Sequence, residues 1–236
     1  MDRSQHLDEG KYLIVNDPGY WGAADPRVLV LGMSKGQTQA NAIVTAYHDG
    51  TFDQVAYQGF RSRLLRVIQE MGLMSGDKSI DRHLQADETE WGFASVLRCS
   101  LTAHDKNGTY SAKSSAVIQG MKTAARPFII SCIDEHLRPL SRRTKLVILL
   151  GNDNNYFTAI ESTMAEIFSD YAKHPKLGPV VFRAGSRFYV HVAHPSRGNG
   201  WFEPFFSQPS NLQQGQKREE ARQGISGALG NEILSL

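Results

Sequence analysis

Short, unbroken runs of apolar residues recur along the chain, and we interpret them as strands. The clearest runs are Val28–Leu31, Trp91–Leu97 and Leu146–Leu150. Apolar runs of this length, without polar alternation, are typical of strands that are buried on both faces of a parallel sheet. Two further runs, Val180–Phe182 and Phe188–Ala193, predict either a hairpin or a single strand with an irregular lead.

Segments with the spacing of a helix separate these runs. Between residues 59 and 72 the apolar side chains recur on one helical face, and Gly72 suits the C-terminal end of that helix. A second helix is predicted over about 116–138, where Pro127 either kinks or restarts it. A third is predicted over 155–172, whereas the polar residues 102–115 are expected to form a loop.

This order of strands and helices predicts an α/β fold. We expect a single domain over residues 1–236, with a central, mostly parallel four-stranded sheet flanked by helices. Residues 1–27 are polar and contain several glycines and prolines, so an irregular lead-in is expected there. Residues 210–236 are expected to form a polar, solvated helical tail.

The carboxyl ends of the predicted strands are the expected ligand site, because open α/β sheets bind ligands there. Unusual polar sequences follow Leu31, Leu97 and Ala193. These three strand ends lie far apart in the chain, but a shared sheet edge would bring them together. We therefore expect them to converge on one site.

The amino-acid composition limits which partners and which cellular compartment we expect for this protein. The 26 Lys and Arg residues nearly balance the 24 Asp and Glu residues, so any contact with nucleic acid must come from a local patch. Two cysteines exclude a disulfide scaffold and a four-thiolate metal site, and they suggest a reducing compartment. No apolar run approaches the roughly 20 residues of a membrane span, and Met1–His6 lacks the apolar core of a signal peptide. We expect a cytoplasmic, intracellular protein.

Three polar segments at the strand ends could carry chemistry. Gly32–Gly36, GMSKG, directly follows the first strand, and its glycines would let the backbone approach a phosphate or a base. It matches neither the nucleotide P-loop nor the dinucleotide-binding pattern. The others are Ser95–Cys99, SVLRC, and His194–Ser196, HPS. Taken singly, each is more simply explained as an ordinary strand end or turn.

Taken together and in order, these segments resemble the uracil-DNA glycosylase superfamily. The resemblance extends over roughly residues 28–205. It rests on five segments: Leu29–Gly36, Tyr57–Leu65, Ser95–Cys99, Ser131–Leu137 with Lys145–Gly151, and His194–Ser196. The resemblance implies an enzyme of base excision repair that flips uracil out of DNA and hydrolyses the bond from base to sugar, leaving an abasic site.

The resemblance assigns two catalytic positions. His194 would donate a hydrogen bond to uracil O2, where negative charge develops in the transition state. Ser34 stands where the superfamily commonly has Asp, Asn or Glu to orient the attacking water. A neutral serine can position a water but is a poor general base. The backbone of Gly32, Met33 and Ser34 would help to hold the base.

The resemblance also implies a pocket for the flipped base. Tyr57 matches the aromatic residue that stacks on it, and Tyr47 is a rival for that position. Ser95 would face the Watson–Crick edge of the base, where related enzymes have asparagine. A hydroxyl reads that edge less fully than an amide, which can both donate and accept. Selectivity for uracil is therefore weaker, or it is supplied partly by backbone groups.

Seven residues beside the first and last motifs are expected to contact DNA: Lys35, Gly36, Gln37, Ser196, Arg197, Asn199 and Trp201. Lys35 would contact a phosphate, and Trp201 could wedge into the space that the flipped base leaves. The expected partner is uracil-containing DNA, single- or double-stranded, and the expected oligomeric state is a monomer.

We expect no cofactor and no metal. Cys99 and Cys132 correspond to two of four iron–sulfur ligands in one branch of the superfamily, but no other cysteine exists in the chain. The leading interpretation is a monofunctional uracil-DNA glycosylase. Two alternatives stay open: a non-catalytic relative that binds damaged DNA, and a glycosylase for another deaminated base such as hypoxanthine or xanthine.

Overall fold

The computed structural model describes residues 4–7, 10–35, 37–104, 110–111 and 114–230. Its strands, in chain order, are β1 (Ser4–Leu7), β2 (Tyr12–Val15), β3 (Trp21–Gly22), β4 (Val28–Ser34), β5 (Trp91–Leu97), β6 (Ser100–His104), β7 (Tyr110–Ser111), β8 (Leu146–Leu150), β9 (Ala172–His174), β10 (Gly178–Ala184) and β11 (Arg187–Val192).

The helices pack around these strands. In chain order they are α1 (Gln37–Asp49), α2 (Phe52–Val55), α3 (Arg61–Glu70), α4 (Ser114–Gly120), α5 (Arg126–Leu137), α6 (Asn154–Ile167), α7 (Phe202–Ser207) and α8 (Gln213–Leu229), with a 3-10 turn at Arg82–Leu84. The fold is mixed α/β, with a sheet flanked by helices.

The main sheet has seven strands in the order β3-β5-β4-β8-β11-β10-β9. Its four central strands, β5, β4, β8 and β11, are mutually parallel. The prediction of a four-stranded sheet was wrong, because β3 at one edge and β10 and β9 at the other pair antiparallel and make the sheet mixed. The runs at 180–182 and 188–193 do form a hairpin, β10–β11.

A second, four-stranded antiparallel sheet has the order β1-β2-β6-β7. Its strands come from segments that we expected to be irregular: β1 and β2 lie within residues 1–27, and β6 and β7 overlap residues 102–115. Ile14 of β2 pairs with Leu101 of β6, far along the chain. Such short strands are stabilised by this distant pairing, so their own sequence carries little signal.

The helix predicted between residues 59 and 72 is confirmed by α3, whereas the bounds of the other two predicted helices differ from the structure. Gly72 has φ +81° and its N–H donates to the Gln69 carbonyl, which ends α3. Pro127 restarts the helix, because α4 ends at Gly120 and α5 begins one residue before the proline. The third helix, α6, ends at Ile167 rather than 172, and β9 follows it.

The C-terminal helix α8 is part of the core rather than a solvated tail. Its Ala221 and Ile225 are fully buried against the sheet. At Gly224 an added Cβ would lie 2.5 Å from a methyl of Val181, so only glycine allows the helix to approach so closely. Residues 231–236 lie outside the described part of the chain.

The two faces of the main sheet bury separate sets of side chains. On β4, Val28 and Val30 join α3, α7 and α8 in one core, whereas Leu29 and Leu31 join α4, α5 and α6 in the other. We call these the α3 face and the α5 face. Because successive side chains of a strand alternate, each residue near a strand end belongs to one face or the other.

Candidate functional site

The carboxyl ends of the four parallel strands lie along one edge of the sheet. Ser34 at the end of β4 pairs with Leu97 at the end of β5, and Leu150 of β8 pairs with Val192 of β11. β8 separates β4 from β11. With neighbouring strands about 4.8 Å apart, the ends of β4 and β11 are roughly 10 Å apart, with the end of β8 between them.

Three positions in the GMSKG and SVLRC segments lie on the α3 face: Gly32, Ser34 and Ser95. Ser95 pairs with Gly32 in the register, and a Cβ built at Gly32 would lie 3.9 Å from the Ser95 hydroxyl oxygen. Ser34 lies two residues after Gly32 and therefore faces the same side. Met33 faces the opposite side, where its side chain is buried in the core of the α5 face. Only the backbone of Met33 can contribute to a site on the α3 face.

Ser34 carries an unpaired polar atom. Its Oγ is buried and has no hydrogen-bond partner among the described residues. Leaving a hydroxyl buried without a partner costs about 1–3 kcal/mol, so such groups usually have a role. A hydroxyl can both donate and accept, and a water or a ligand at the strand end would satisfy it.

His194 is held as a neutral hydrogen-bond donor. Its Nδ1 accepts the backbone N–H of Ser196 at 3.1 Å, so the ring proton of the neutral form is on Nε2. Burial lowers the pKa of His194 from 6.5 to about 4. At neutral pH the imidazole therefore presents an uncharged N–H at the carboxyl edge of the sheet.

Helix α3 braces the loop that carries His194. Arg63 Nε donates to the Pro195 carbonyl at 2.7 Å, and its Nη2 donates to the Ser196 carbonyl at 3.2 Å. The guanidinium also lies over the Phe202 ring, 3.6 Å from its centroid. The sequence alone did not assign this role to Arg63.

The predicted DNA-contacting residues of this loop differ in their surroundings. The Asn199 side chain is used within the loop, since Nδ2 donates to the His194 carbonyl at 2.8 Å and Oδ1 accepts from the Trp201 N–H at 3.0 Å. Ser196 is half-buried and bonds to His194 through its N–H. Arg197 is exposed, and Trp201 is 46% exposed. Of the predicted contacts in this loop, Arg197 and Trp201 are therefore the two whose side chains are open to a partner.

An aromatic cluster lies beside His194. Tyr57 is buried, its hydroxyl donates to the Ala94 carbonyl at 3.2 Å, and its ring meets Phe60 edge-on at 5.7 Å between centroids. Phe60 is half-buried, and its ring centroid is 6.2 Å from that of His194. Phe60 is therefore the ring of this cluster that lies next to His194. It was not among the predicted site residues, although it directly follows Gly59. The Tyr47 side chain lies outside the described part of the chain.

Lys35 is buried, with 1% of its side chain exposed. Its Nζ is 2.8 Å from Asp17 Oδ1 and also donates to the Asp17 carbonyl. Burial lowers the pKa of Lys35, while the contact with Asp17 opposes that effect. The expected phosphate contact does not fit this position, because the ammonium group is sealed from solvent and already paired. Gly36 and the Gln37 side chain lie outside the described residues.

The end of β8 supplies residues that the sequence analysis did not assign to the site. Asn152 is 3% exposed, and its Nδ2 donates to Gln214 Oε1 at 2.6 Å. Lys217 Nζ donates to the Asn152 carbonyl at 2.7 Å. Gly151–Asn152 repeats the strand-then-glycine pattern seen after Leu31, and that pattern was the available signal. Asn152 lies between the ends of β4 and β11.

Comparisons with known proteins give a distant structural neighbour. No protein-family model and no curated protein matches the chain. Among solved structures, the chain is similar to the crystal structure of wild-type SMUG2 from Pedobacter heparinus. The two share 14% sequence identity and a TM-score of 0.42, over 86% of this chain and 76% of the other. The roles below therefore rest on the residues of this chain.

Among the described residues, no group of three His, Cys, Asp or Glu side chains is arranged to hold a metal ion. In the same part of the chain, no helix has the length and apolarity that crossing a membrane requires.

Proposed function

We propose that the protein is a DNA glycosylase that removes uracil from DNA by hydrolysis and leaves an abasic site. The observation that carries the proposal is the common position of Ser34, Ser95 and His194. All three belong to the α3 face at the carboxyl edge of the sheet, and they come from the motifs that resemble the uracil-DNA glycosylase superfamily in order.

The proposed reaction separates charge between the sugar and the base, and His194 would stabilise the negative charge on the base. Cleavage of the base–sugar bond leaves an oxocarbenium-like sugar and a uracil anion with charge on O2. The Nε2–H of His194 is set by the contact of Nδ1 with Ser196. A neutral imidazole donates to an anion without giving up its proton, and loss of one such donor typically slows a reaction about 10²–10³-fold.

The attacking water would be positioned rather than deprotonated. Ser34 Oγ has no other partner among the described residues, so it is available to accept a hydrogen bond from the water. An oxocarbenium-like sugar is strongly electrophilic, and in this proposal it needs a correctly placed water more than a strong base. This assignment explains how the first motif can function without a carboxylate or an amide.

Two side chains would recognise the base: Ser95, and Asn152 just beyond the end of β8. Gln214 orients the Asn152 carboxamide through Nδ2, which leaves Oδ1 as an acceptor of defined direction. Uracil N3–H is a donor that an amide oxygen can accept. In this proposal Asn152 supplies the amide that Ser95 lacks, and Phe60 or Tyr57 stacks on the ring.

The exposed residues of the final loop would face DNA. Trp201 is a large apolar side chain with a high exposed fraction, 46%, and Arg197 is four positions earlier in the chain. A tryptophan can wedge between base steps while an arginine binds the neighbouring phosphate or the minor groove. Replacing Trp201 by alanine should weaken base flipping while leaving the fold unchanged.

An alkali-cleavage assay tests the proposal. The substrate is a single-stranded, end-labelled oligonucleotide that contains one uracil. Wild-type protein should produce a break only after alkali, since hydrolysis leaves the backbone intact. His194→Ala should reduce base release at least about 100-fold.

His174→Ala is the matched control. The Nδ1 of His174 also accepts backbone N–H groups, from Lys176 and Leu177 at 3.3 and 3.2 Å, but His174 is on β9 at the far edge of the sheet. This variant should retain full activity. No base release by wild-type protein from uracil would refute the proposed substrate. Release from a hypoxanthine- or xanthine-containing oligonucleotide instead would assign the site to another deaminated base, and binding without release from any of them would leave a damage-binding role.

A further inference from the structure

Cys99 and Cys132 bring their thiols together on the α5 face of the sheet. The two sulfur atoms are 3.1 Å apart, although the residues are 33 positions apart in the chain. Both are free thiols, and the chain has no other cysteine. Cys99 lies two residues beyond the end of β5, and Cys132 lies in the middle of α5. The separation of the two sulfurs is about 1 Å longer than the roughly 2.05 Å of a disulfide bond.

The neighbours of the pair favour thiolate chemistry at Cys132. The hydrogen bond shared with Cys99 and a hydrogen bond with His136 lower the pKa of Cys132, against the effect of burial. The shared hydrogen bond raises the pKa of Cys99. Because His136 is beside Cys132, we assign Cys132 as the nucleophilic sulfur and Cys99 as the thiol that resolves it.

A cavity lies beside the residues that flank the pair. It has a volume of about 370 Å³, and its lining includes His136 and Arg98 but neither cysteine. His136 contacts both the cavity and Cys132. Cys132 itself is 7% exposed, so only a small oxidant could reach its sulfur. Hydrogen peroxide meets that requirement, whereas a peptide-sized disulfide does not.

We propose that Cys99 and Cys132 form a redox modification site, at which hydrogen peroxide converts the two thiols to an intramolecular disulfide. The Cys132 thiolate attacks one peroxide oxygen and the O–O bond breaks, giving a sulfenic acid and a hydroxide that is protonated to water. The Cys99 sulfur then attacks the Cys132 sulfur, the S–O bond breaks, and the departing hydroxide takes the Cys99 proton as a second water. Two thiols lose two electrons and the peroxide gains them.

The disulfide would couple oxidation to the edge of the sheet that holds the candidate site. Ser100, next to Cys99, donates to Asp17 through its N–H at 2.8 Å and its hydroxyl at 2.6 Å, and Asp17 binds Lys35 at the end of β4. A bond from Cys99 to α5 would fasten this network to the helix. Closing a long loop restricts the unfolded chain, so the oxidised form should melt at a higher temperature than the reduced form.

Intact-mass measurement tests the proposal on the whole chain. Reduced protein treated with a few equivalents of hydrogen peroxide should lose about 2 Da, lose both alkylatable thiols and remain monomeric in non-reducing electrophoresis. Dithiothreitol should restore the original mass and thiols. Because only two cysteines exist, an intramolecular disulfide can only be this pair.

Two variants separate the roles of the sulfurs. Cys99→Ser should accumulate a sulfenic acid at Cys132 that dimedone traps, and Cys132→Ser should react with peroxide at least about tenfold more slowly than Cys99→Ser. A gain of about 32 Da in the wild type, without loss of 2 Da, would mean independent over-oxidation and would overturn the proposal. Covalent dimers would overturn it as well. These readouts do not depend on glycosylase activity, so they are informative whatever substrate the protein has.

Discussion

The charge state of His194 can be tested through the pH dependence of stability. Lowering its pKa from 6.5 to about 4 means that the folded protein disfavours the protonated ring by about 3.4 kcal/mol. Because the imidazole is half-buried rather than sealed, this figure is an upper bound. At pH 5 about one folded molecule in ten would carry a charged His194, against nearly all unfolded molecules.

The sign of the effect follows from proton binding. Between about pH 6.5 and pH 4 the unfolded chain holds a proton on His194 that the folded chain lacks, so the free energy of unfolding falls as the pH falls. Above pH 6.5 neither state is charged, and well below pH 4 both are. Wild type should therefore lose up to about 3.4 kcal/mol more than His194→Ala between pH 7 and pH 4. His191, whose burial lowers its pKa to about 3, adds a loss of the same sign to both proteins and cancels in the comparison.

Two measurements check this reasoning. Urea unfolding at pH 7, 6, 5 and 4 gives the free-energy difference between wild type and His194→Ala at each pH. An NMR titration of the imidazole resonances gives the pKa of His194 directly. Titration at or above 6.5 would refute the neutral-donor assignment, and with it the proposed role in stabilising a uracil anion. Below neutral pH the base-release rate should stay constant down to about pH 5.

Three substitutions test other parts of the site. Ser34→Ala removes an unpaired buried hydroxyl, so the free energy of unfolding should stay constant or rise by about 1 kcal/mol in urea titrations, while single-turnover base release falls about tenfold or more. Arg63→Lys loses the fork that holds two carbonyls of the final loop, so kcat should fall about tenfold with only a few degrees of change in Tm; unchanged kcat would remove its positioning role. Lys35→Met leaves Asp17 without its buried cation and should cost about 3 kcal/mol, or roughly 6–12 °C in Tm by calorimetry; an unchanged Tm would show that the pair contributes nothing.

Part of the fold could be predicted because burial on both sides is visible in a sequence. The runs at Val28–Leu31, Trp91–Leu97 and Leu146–Leu150 became three central strands, and β5 has the predicted bounds. A strand covered on both faces must be apolar at every position, whatever its partners are. The short strands β2 and β6 had no such signature, since each depends on hydrogen bonds to a partner distant in the chain.

The candidate site likewise has features that are visible in the sequence and features that depend on distant neighbours. Its motifs are local, so the sequence alone indicates that polar segments follow the strands and points to His194 and Ser34 as candidate residues. The fold sets which side chains share a face: Met33 and Ser34 are consecutive residues of β4, yet Met33 is in the core of the α5 face and Ser34 faces the candidate site. It also decided that Lys35 is paired with Asp17 and that Asn152 lies between two motifs. Strand alternation, burial and long-range pairing depend on the neighbours that folding supplies, and no local pattern specifies those neighbours.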